Sequence, residues 1–218
     1  MHVVDSPTGS ALIFVADSGE NSIGVAPGAN ARLTPTHIDA ASQTLCDADY
    51  LLIQLESPTA TLTYAATMAS KSKTRVVLNP APAQPLPEAL LRRVDVLTPN
   101  QTELATLTDQ PIDSAEAIQM AARSLLDLGP ETIIVTLGAA GALVVSRDTC
   151  IEVNAPSVTP IDTTGAGDTF NGALLVALTE GRTLVEAVRF ANHAAALSVT
   201  RRGAIDSIPS RVEVDGFL

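Results

Sequence analysis

The chain has 218 residues, of which 46% are hydrophobic and only 3% aromatic, and its formal net charge at pH 7 is −11. This length and composition allow a large core that is built mainly from aliphatic side chains. The negative charge argues against a protein that binds nucleic acid or an anionic membrane surface, because both need basic stripes.

The cysteines and histidines point to no redox or metal centre. Cys46 and Cys150 are isolated and form no disulfide framework, and the three histidines lack the spacing of metal ligands. No apolar run approaches the length of a membrane span, and the first residues do not resemble a signal peptide. We therefore expect a cytoplasmic protein.

The first predicted elements are a hairpin and a helix. Short apolar runs over 11–15 and 23–26 flank a turn rich in Gly, Asp and Asn, which is typical of a β-hairpin. Thr34 and Pro35 then predict the N-cap and first residue of a helix that extends to Leu45.

From residue 50 onwards, predicted strands and helices alternate. In chain order we expect a strand over 50–55, a helix over 58–70, a strand over 75–78, a helix over 87–93, a strand over 94–98, helices over 100–108 and 114–128, strands over 132–136 and 142–145, and helices over 167–179 and 184–200. Such alternation is typical of βαβ units. The sequence therefore predicts an α/β fold with a mostly parallel sheet, in a single domain that covers 1–218.

The segments that directly follow the predicted strands are candidates for a ligand site, because open parallel sheets bind ligands beyond the carboxyl ends of their strands. We expect these segments to converge on one edge of the sheet. They are 54–56, 79–80, 98–100, 136–138 and 162–168.

The segment 162–168 combines glycines, a helix start and a carboxylate. Gly165 and Gly167 allow close approach of a ligand to the backbone, and a helix N-terminus attracts anions. A carboxylate at Asp168 beside such an anion would suit a general base for an attacking hydroxyl. The alternative is that Asp168 is only a favourable acid in a first helical turn. No P-loop, dinucleotide-binding or protein-kinase motif is present in the sequence.

The run 162–172, DTTGAGDTFNG, resembles the C-terminal signature of the PfkB carbohydrate kinases. Further segments are similar to those of ribokinases and occur in the same order, at 54–58, 79–83, 98–103, 136–141 and 200–204. The resemblance implies a ribokinase-like three-layer α/β/α fold with a small β lid hairpin, to which residues of about 9–30 contribute.

The resemblance also implies catalytic and sugar-binding roles. Asp168 would deprotonate a sugar hydroxyl, and the backbone of Gly165, Ala166 and Gly167 would form the anion hole for the migrating phosphoryl group. The residues it assigns to sugar binding are Glu56, Asp168, Ala11 and Ile13. Glu56 could instead be a solvated acid at a strand end.

A nucleotide site and two cation sites are implied in the same way. The residues assigned to ATP and its Mg²⁺ shell are Asn100, Glu103, Thr136, Gly138, Gly141, Gly167 and Asn192. The residues assigned to an activating K⁺ are Asp162, Thr164, Ser198, Arg201, Gly203 and Ser207. Structural alternatives remain, since Asn100 and Glu103 fit a capping box, the glycines fit turns, Arg201 fits a helix C-terminal charge and Asn192 fits a helix surface.

The expected function is ATP-dependent phosphorylation of D-ribose to ribose 5-phosphate, with a possible homodimer formed through the lid. Family members carry a further sugar-binding segment before the position of Met1, so we expect the chain to be N-terminally truncated relative to them. The alternatives are another PfkB sugar or nucleoside kinase, or an inactive ATP-binding remnant.

Overall fold

A computed structural model describes residues 4–15 and 21–217 of the chain. Strands β1 (Ser10–Val15) and β2 (Asn21–Ala26) pair antiparallel and form a separate two-stranded sheet. The predicted pairing of two strands is therefore confirmed, whereas the turn expected between them lies mostly outside the described residues. Leu12 and Val25 of this sheet are 67% and 54% exposed.

The remaining helices and strands follow the predicted alternation. They are α1 (Pro35–Ala40), α2 (Ser42–Asp47), β3 (Tyr50–Ile53), α3 (Thr59–Ala69), β4 (Arg75–Leu78), α4 (Glu88–Leu91), β5 (Val96–Leu97), α5 (Gln101–Thr108), α6 (Ala115–Leu126), β6 (Thr132–Thr136), β7 (Ala142–Val145), β8 (Cys150–Val153), α7 (Ala166–Thr179), α8 (Leu184–Ser198) and α9 (Arg211–Phe217). Short 3₁₀ turns lie at Gly28–Arg32, Gly138–Ala140 and Ile205–Ser207. None of the helices in the described ranges is long and apolar enough to cross a membrane.

The main sheet has six strands in the order β3-β4-β5-β6-β7-β8. Strands β3 to β6 are parallel, and β7 and β8 are antiparallel to their neighbours. The prediction of an α/β fold with a mostly parallel sheet is thus confirmed.

Helices cover both faces of this sheet. In β4, Val76 and Leu78 belong to a buried cluster that includes Leu62 of α3 and Leu125 of α6. The intervening Val77 belongs to a second cluster with residues of α7 and α8. Because successive side chains of a strand point to opposite faces, this alternation produces the three-layer α/β/α arrangement.

Several predicted bounds were wrong. The helix expected over 34–45 is divided at Ala41, whose φ of −106° and ψ of 9° are not helical. The strand expected over 94–98 is reduced to Val96–Leu97. Strand β8 and helix α9 were not predicted at all. The N-cap at Thr34 is confirmed, and its capping box with His37 was not foreseen.

Candidate active site

The parallel strands bring their carboxyl ends to one edge of the sheet, as expected. The Leu55 N–H donates to the Ala81 carbonyl at 2.9 Å, and the Thr136 N–H donates to the Pro99 carbonyl at 2.9 Å. The first bond joins the segments after β3 and β4, and the second joins the end of β6 to the segment after β5. Ligands of open parallel sheets bind at such an edge.

The N-terminus of α7 lies beside this edge and offers free backbone donors. Gly165 is its N-cap with φ of +75°, a left-handed conformation that glycine adopts without strain. The Ala166 N–H donates to the Thr163 carbonyl at 3.2 Å, whereas the N–H groups of Gly165 and Gly167 have no protein acceptor within the described residues. The free donors and the dipole of a 14-residue helix favour an anion here.

Asp168 lies in the first turn of α7 and contacts the end of β3. Its Oδ1 accepts a hydrogen bond of 2.7 Å from Nε2 of Gln54. This bond fixes the direction of a solvent-exposed carboxylate next to the free N–H groups. Sequence reasoning placed Gln54 among the strand-end residues but gave it no role, because its partner is distant in the sequence.

A cavity of about 380 Å³ begins at the first turn of α7 and extends between α8 and the segment 155–160. Thr136, Gly138, Gly141, Gly167 and Asn192, all predicted nucleotide contacts, line it. Its remaining lining is mostly small and aliphatic, and none of the lining residues is charged: Ala139, Ala155, Pro156, Ser157, Val158, Pro160, Thr163, Ala166, Phe170, Ala195, Ala196 and Val199. The cavity suits a flat apolar group whose anionic end points at α7.

Asn192 is held in place from the sheet side. It is only 4% exposed, so its interpretation as a helix surface residue is wrong. Its Nδ2 donates to the Val153 carbonyl at 2.8 Å, which connects α8 to β8 at the wall of the cavity. Gly141 is also fixed by β8, since a Cβ on it would overlap the Val153 carbonyl oxygen.

Asn100 and Glu103 form a reciprocal capping box at the start of α5. The Glu103 N–H donates to Asn100 Oδ1 and the Asn100 N–H donates to Glu103 Oε2, both at 2.8 Å. Burial raises the pKa of the Glu103 carboxyl above its ordinary value. Both side chains thus serve the helix start, and no group of three His, Cys, Asp or Glu side chains that could hold a metal is found in 4–15 and 21–217.

The predicted K⁺ residues lie in three short connected segments. Asp162 joins two of them, because its Oδ1 accepts from the Thr164 N–H at 3.0 Å and its Oδ2 from the Gly203 N–H at 2.9 Å. These backbone donors lower the pKa of Asp162 to about 2. The Arg201 N–H donates to the Ser198 carbonyl at 3.1 Å.

Two members of that predicted set have other partners. The Arg201 guanidinium is paired with Glu213 at 2.6 Å, and the Ser207 hydroxyl donates to the Ala204 carbonyl at 2.8 Å. Ser198 and Ser207 are completely buried. Their side chains therefore serve packing and local bonding, and only backbone oxygens of these residues suit a cation.

The predicted sugar contacts are the least enclosed part of the site. Glu56 is exposed and lies two residues after Gln54, and Ala11 is exposed on β1. Ile13 is opposite Ile23 in the hairpin, and its side chain lies outside the described part of the structure.

Comparison with known proteins decides the family. The model of the pfkB family of carbohydrate kinases matches residues 1–211. This chain belongs to the pfkB carbohydrate kinase family. Members similar to it include a ribokinase of Haemophilus influenzae, 44% identical over 97% of this chain and 69% of the relative.

Two further similar proteins extend the comparison. A deoxyribokinase of Salmonella typhi is 39% identical over 97% of this chain and 69% of the relative. The structure of Arabidopsis thaliana ribokinase complexed with ribose and ATP superimposes on this chain with a TM-score of 0.91 and a sequence identity of 34%. The match covers 98% of this chain and 70% of that ribokinase. The pfkB fold is therefore shared across nearly the whole chain.

Proposed function

We propose that this protein transfers the terminal phosphoryl group of ATP to a primary hydroxyl of D-ribose, with Asp168 as the general base. The observation that carries the proposal is the position of Asp168, one residue beyond the free N–H group of Gly167 at the N-terminus of α7. The similarity to ribokinases, one of them complexed with ribose and ATP, supports this choice of substrates.

In this mechanism the cavity holds the nucleotide with its phosphates at the start of α7. The Gln54 amide keeps the Asp168 carboxylate directed towards the sugar hydroxyl, and the carboxylate accepts the proton as the oxygen attacks phosphorus. The bond from phosphorus to the bridging oxygen breaks, and ADP leaves. The N–H groups of Gly165 and Gly167 stabilise the charge on the transferred group.

The cations belong to the proposal as well. Glu103 is buried and already bonded to the Asn100 N–H, so it fits an outer position of a Mg²⁺ shell in which water and ATP phosphates provide the ligands. The carbonyl-bearing segments that Asp162 joins fit K⁺, which is bound by backbone oxygens. A bound K⁺ would add positive charge close to the anion hole.

The test is ATP turnover by the purified chain with D-ribose, Mg²⁺ and K⁺. We expect ADP formation that depends on ribose, and we expect Asp168→Asn to reduce kcat by about 10³-fold while ADP affinity stays within about threefold. Absence of sugar-dependent turnover, or full activity of Asp168→Asn, would contradict the proposal.

Deoxyribose is the second candidate acceptor, because a relative of 39% identity is a deoxyribokinase. The ratio of kcat/KM for D-ribose and 2-deoxy-D-ribose separates the two candidates. A homodimer through the hairpin, whose Leu12 and Val25 are largely exposed, is also part of the proposal and is tested by sedimentation velocity.

A further inference from the structure

A buried series of side-chain hydrogen bonds connects two strand ends to the first turn of α7. Nδ2 of Asn79 donates to the Thr98 carbonyl at 3.0 Å, Oγ1 of Thr98 donates to Asn171 Oδ1 at 2.7 Å, and Nδ2 of Asn171 donates to the Gly167 carbonyl at 2.9 Å. The three side chains are 8%, 1% and 3% exposed. Asn79 directly follows β4, and Thr98 directly follows β5.

These three hydrogen-bonded side chains are polar residues at buried positions. Burial of amide and hydroxyl groups is unfavourable unless they are bonded, and asparagine is a weak helix former. Here each bond is made with good length, so the groups are satisfied. The Thr98 hydroxyl also lies 3.4 Å from the Leu78 carbonyl, but its shorter contact is with Asn171.

The turn that receives the last of these bonds has little packing of its own. A Cβ built on Gly167 would meet no atom within 4 Å, so packing around that position does not fix it. The Gly167 carbonyl belongs to the peptide unit whose N–H is that of Asp168. In addition to the helical bond from the Asn171 backbone N–H, the Asn171 side chain gives this carbonyl a second hydrogen bond, which restrains the peptide unit between the anion hole and the base.

We propose that Thr98 and Asn171 are a positioning pair that orients the turn 165–168 for phosphoryl transfer. This proposal rests on the proposed function and adds residues that do not line the cavity. A misplacement of about 1 Å in a phosphoryl-transfer site lowers the rate by up to about 10²-fold, so a rigid support for this turn has a direct effect on kcat.

The decisive variant is Thr98→Val, which keeps the shape of the side chain and removes its hydroxyl. We expect kcat to fall at least about tenfold, with KM for ATP and ribose within about threefold of the original values. Thr98→Ser keeps the hydroxyl and should retain kcat within about threefold. Asn171→Leu should lower kcat about as much as Thr98→Val does. Because the two residues act as one unit, kcat of the double variant should lie within about twofold of kcat of the slower single variant.

The matched control is Thr74→Val, at a residue that directly precedes β4 and so lies at the opposite edge of the sheet from Thr98. Thr74 is 4% exposed, and its hydroxyl lies 2.8 Å from the Leu45 carbonyl and 2.9 Å from the Ala48 carbonyl. It should lower Tm about as much as Thr98→Val and leave kcat within about twofold. Unchanged kcat in Thr98→Val, or an equal loss in Thr74→Val, would overturn the proposal.

Amide hydrogen exchange gives a measurement that does not depend on turnover. The Thr169 N–H, bonded to the Gly165 carbonyl at 2.9 Å, closes the first turn of α7. In Thr98→Val its exchange should accelerate at least about tenfold relative to amides further along α7, and in Thr74→Val it should not. If the unmodified chain turns over no sugar, the proposed function fails. If the Thr169 amide exchanges at the same rate in Thr98→Val and Thr74→Val, the positioning role fails, whatever the result for turnover.

Discussion

The segment before residue 50 and the two helices α7 and α8 differ in how they are held. None of the described side chains in 4–12 and 24–50 is buried. In contrast, α7 and α8 pack Leu174, Phe190 and other side chains into the cluster that covers one face of the sheet. The helices that line the cavity are thus part of the core, whereas the predicted sugar lid lies on the surface. The shape of the cavity is therefore fixed by folding, and the position of the hairpin depends on few internal contacts.

The largest expected difference is in the free energy of unfolding, when one leucine from each region is replaced. Leu174 is completely buried in α7, and Leu12 is 67% exposed in β1. Leu174→Ala should lower the free energy of unfolding by about 3 kcal/mol because it leaves a cavity, whereas Leu12→Ala should change it by no more than about 0.5 kcal/mol. Urea denaturation measures both. Similar losses in the two variants would remove the contrast between the regions.

The next largest difference is expected between two glycines at the wall of the cavity, in stability and in ADP binding. Gly141 has φ of +100° and no room for a Cβ beside Val153, whereas Gly138 has φ of +60° and open space around it. Gly141→Ala should cost about 3 kcal/mol and weaken ADP binding, while Gly138→Ala should cost about 1 kcal/mol. Thermal denaturation with and without ADP gives both quantities. Equal costs would mean that β8 does not set this wall.

A smaller effect is expected from Gln54, which connects β3 to α7. Gln54→Leu removes the donor to Asp168 and should lower kcat about tenfold, because the carboxylate loses its fixed direction. The control is Gln84→Leu, since Gln84 donates only to the Leu55 carbonyl at 3.2 Å. Steady-state kinetics gives kcat for both variants. A larger loss in the Gln84 variant would assign the effect to the loop after β3.

The smallest effect concerns the capping box of α8. The Glu186 carboxylate accepts hydrogen bonds from the side chain and backbone N–H of Thr183, which lower its pKa below the ordinary value of 4.5. Because the pKa is lower in the folded chain, the stabilisation is present above pH 4.5 and is lost as the pH falls below it. Urea denaturation of Glu186→Gln should therefore match that of the unmodified chain at acidic pH and show lower stability near neutral pH.

Much of the fold could be predicted because its strands are short, apolar and well bounded. The predicted bounds of β4, β6 and β7 agree with the structure. Strand β8 was missed because only Val153 among its residues is buried, so it carries no clear apolar pattern. Helix α9 was missed for the same reason, since Val214 alone is buried. The break at Ala41 falls on the residue type with the highest helix propensity, so propensity does not explain it.

The candidate site was predictable where one continuous motif specifies it. The segment 162–168 indicated an anion site with a carboxylate, and the structure places free N–H groups beside Asp168. The partners of that segment were not predictable, because Gln54 and Thr98 lie far from α7 in the sequence. Pairwise contacts of this kind leave no local pattern in a single sequence.

The reversal of the sheet between β6 and β7 has a consequence for how the proposed nucleotide site can vary. The turn Gly138–Ala140 connects two antiparallel strands, and its Gly138 and Ala139 line the cavity. Exposed hairpin turns tolerate insertions and substitutions far better than the helix start that carries Asp168. If the cavity holds the nucleotide as proposed, a substitution at this turn would change the fit of the base and leave the helix start at Asp168 in place.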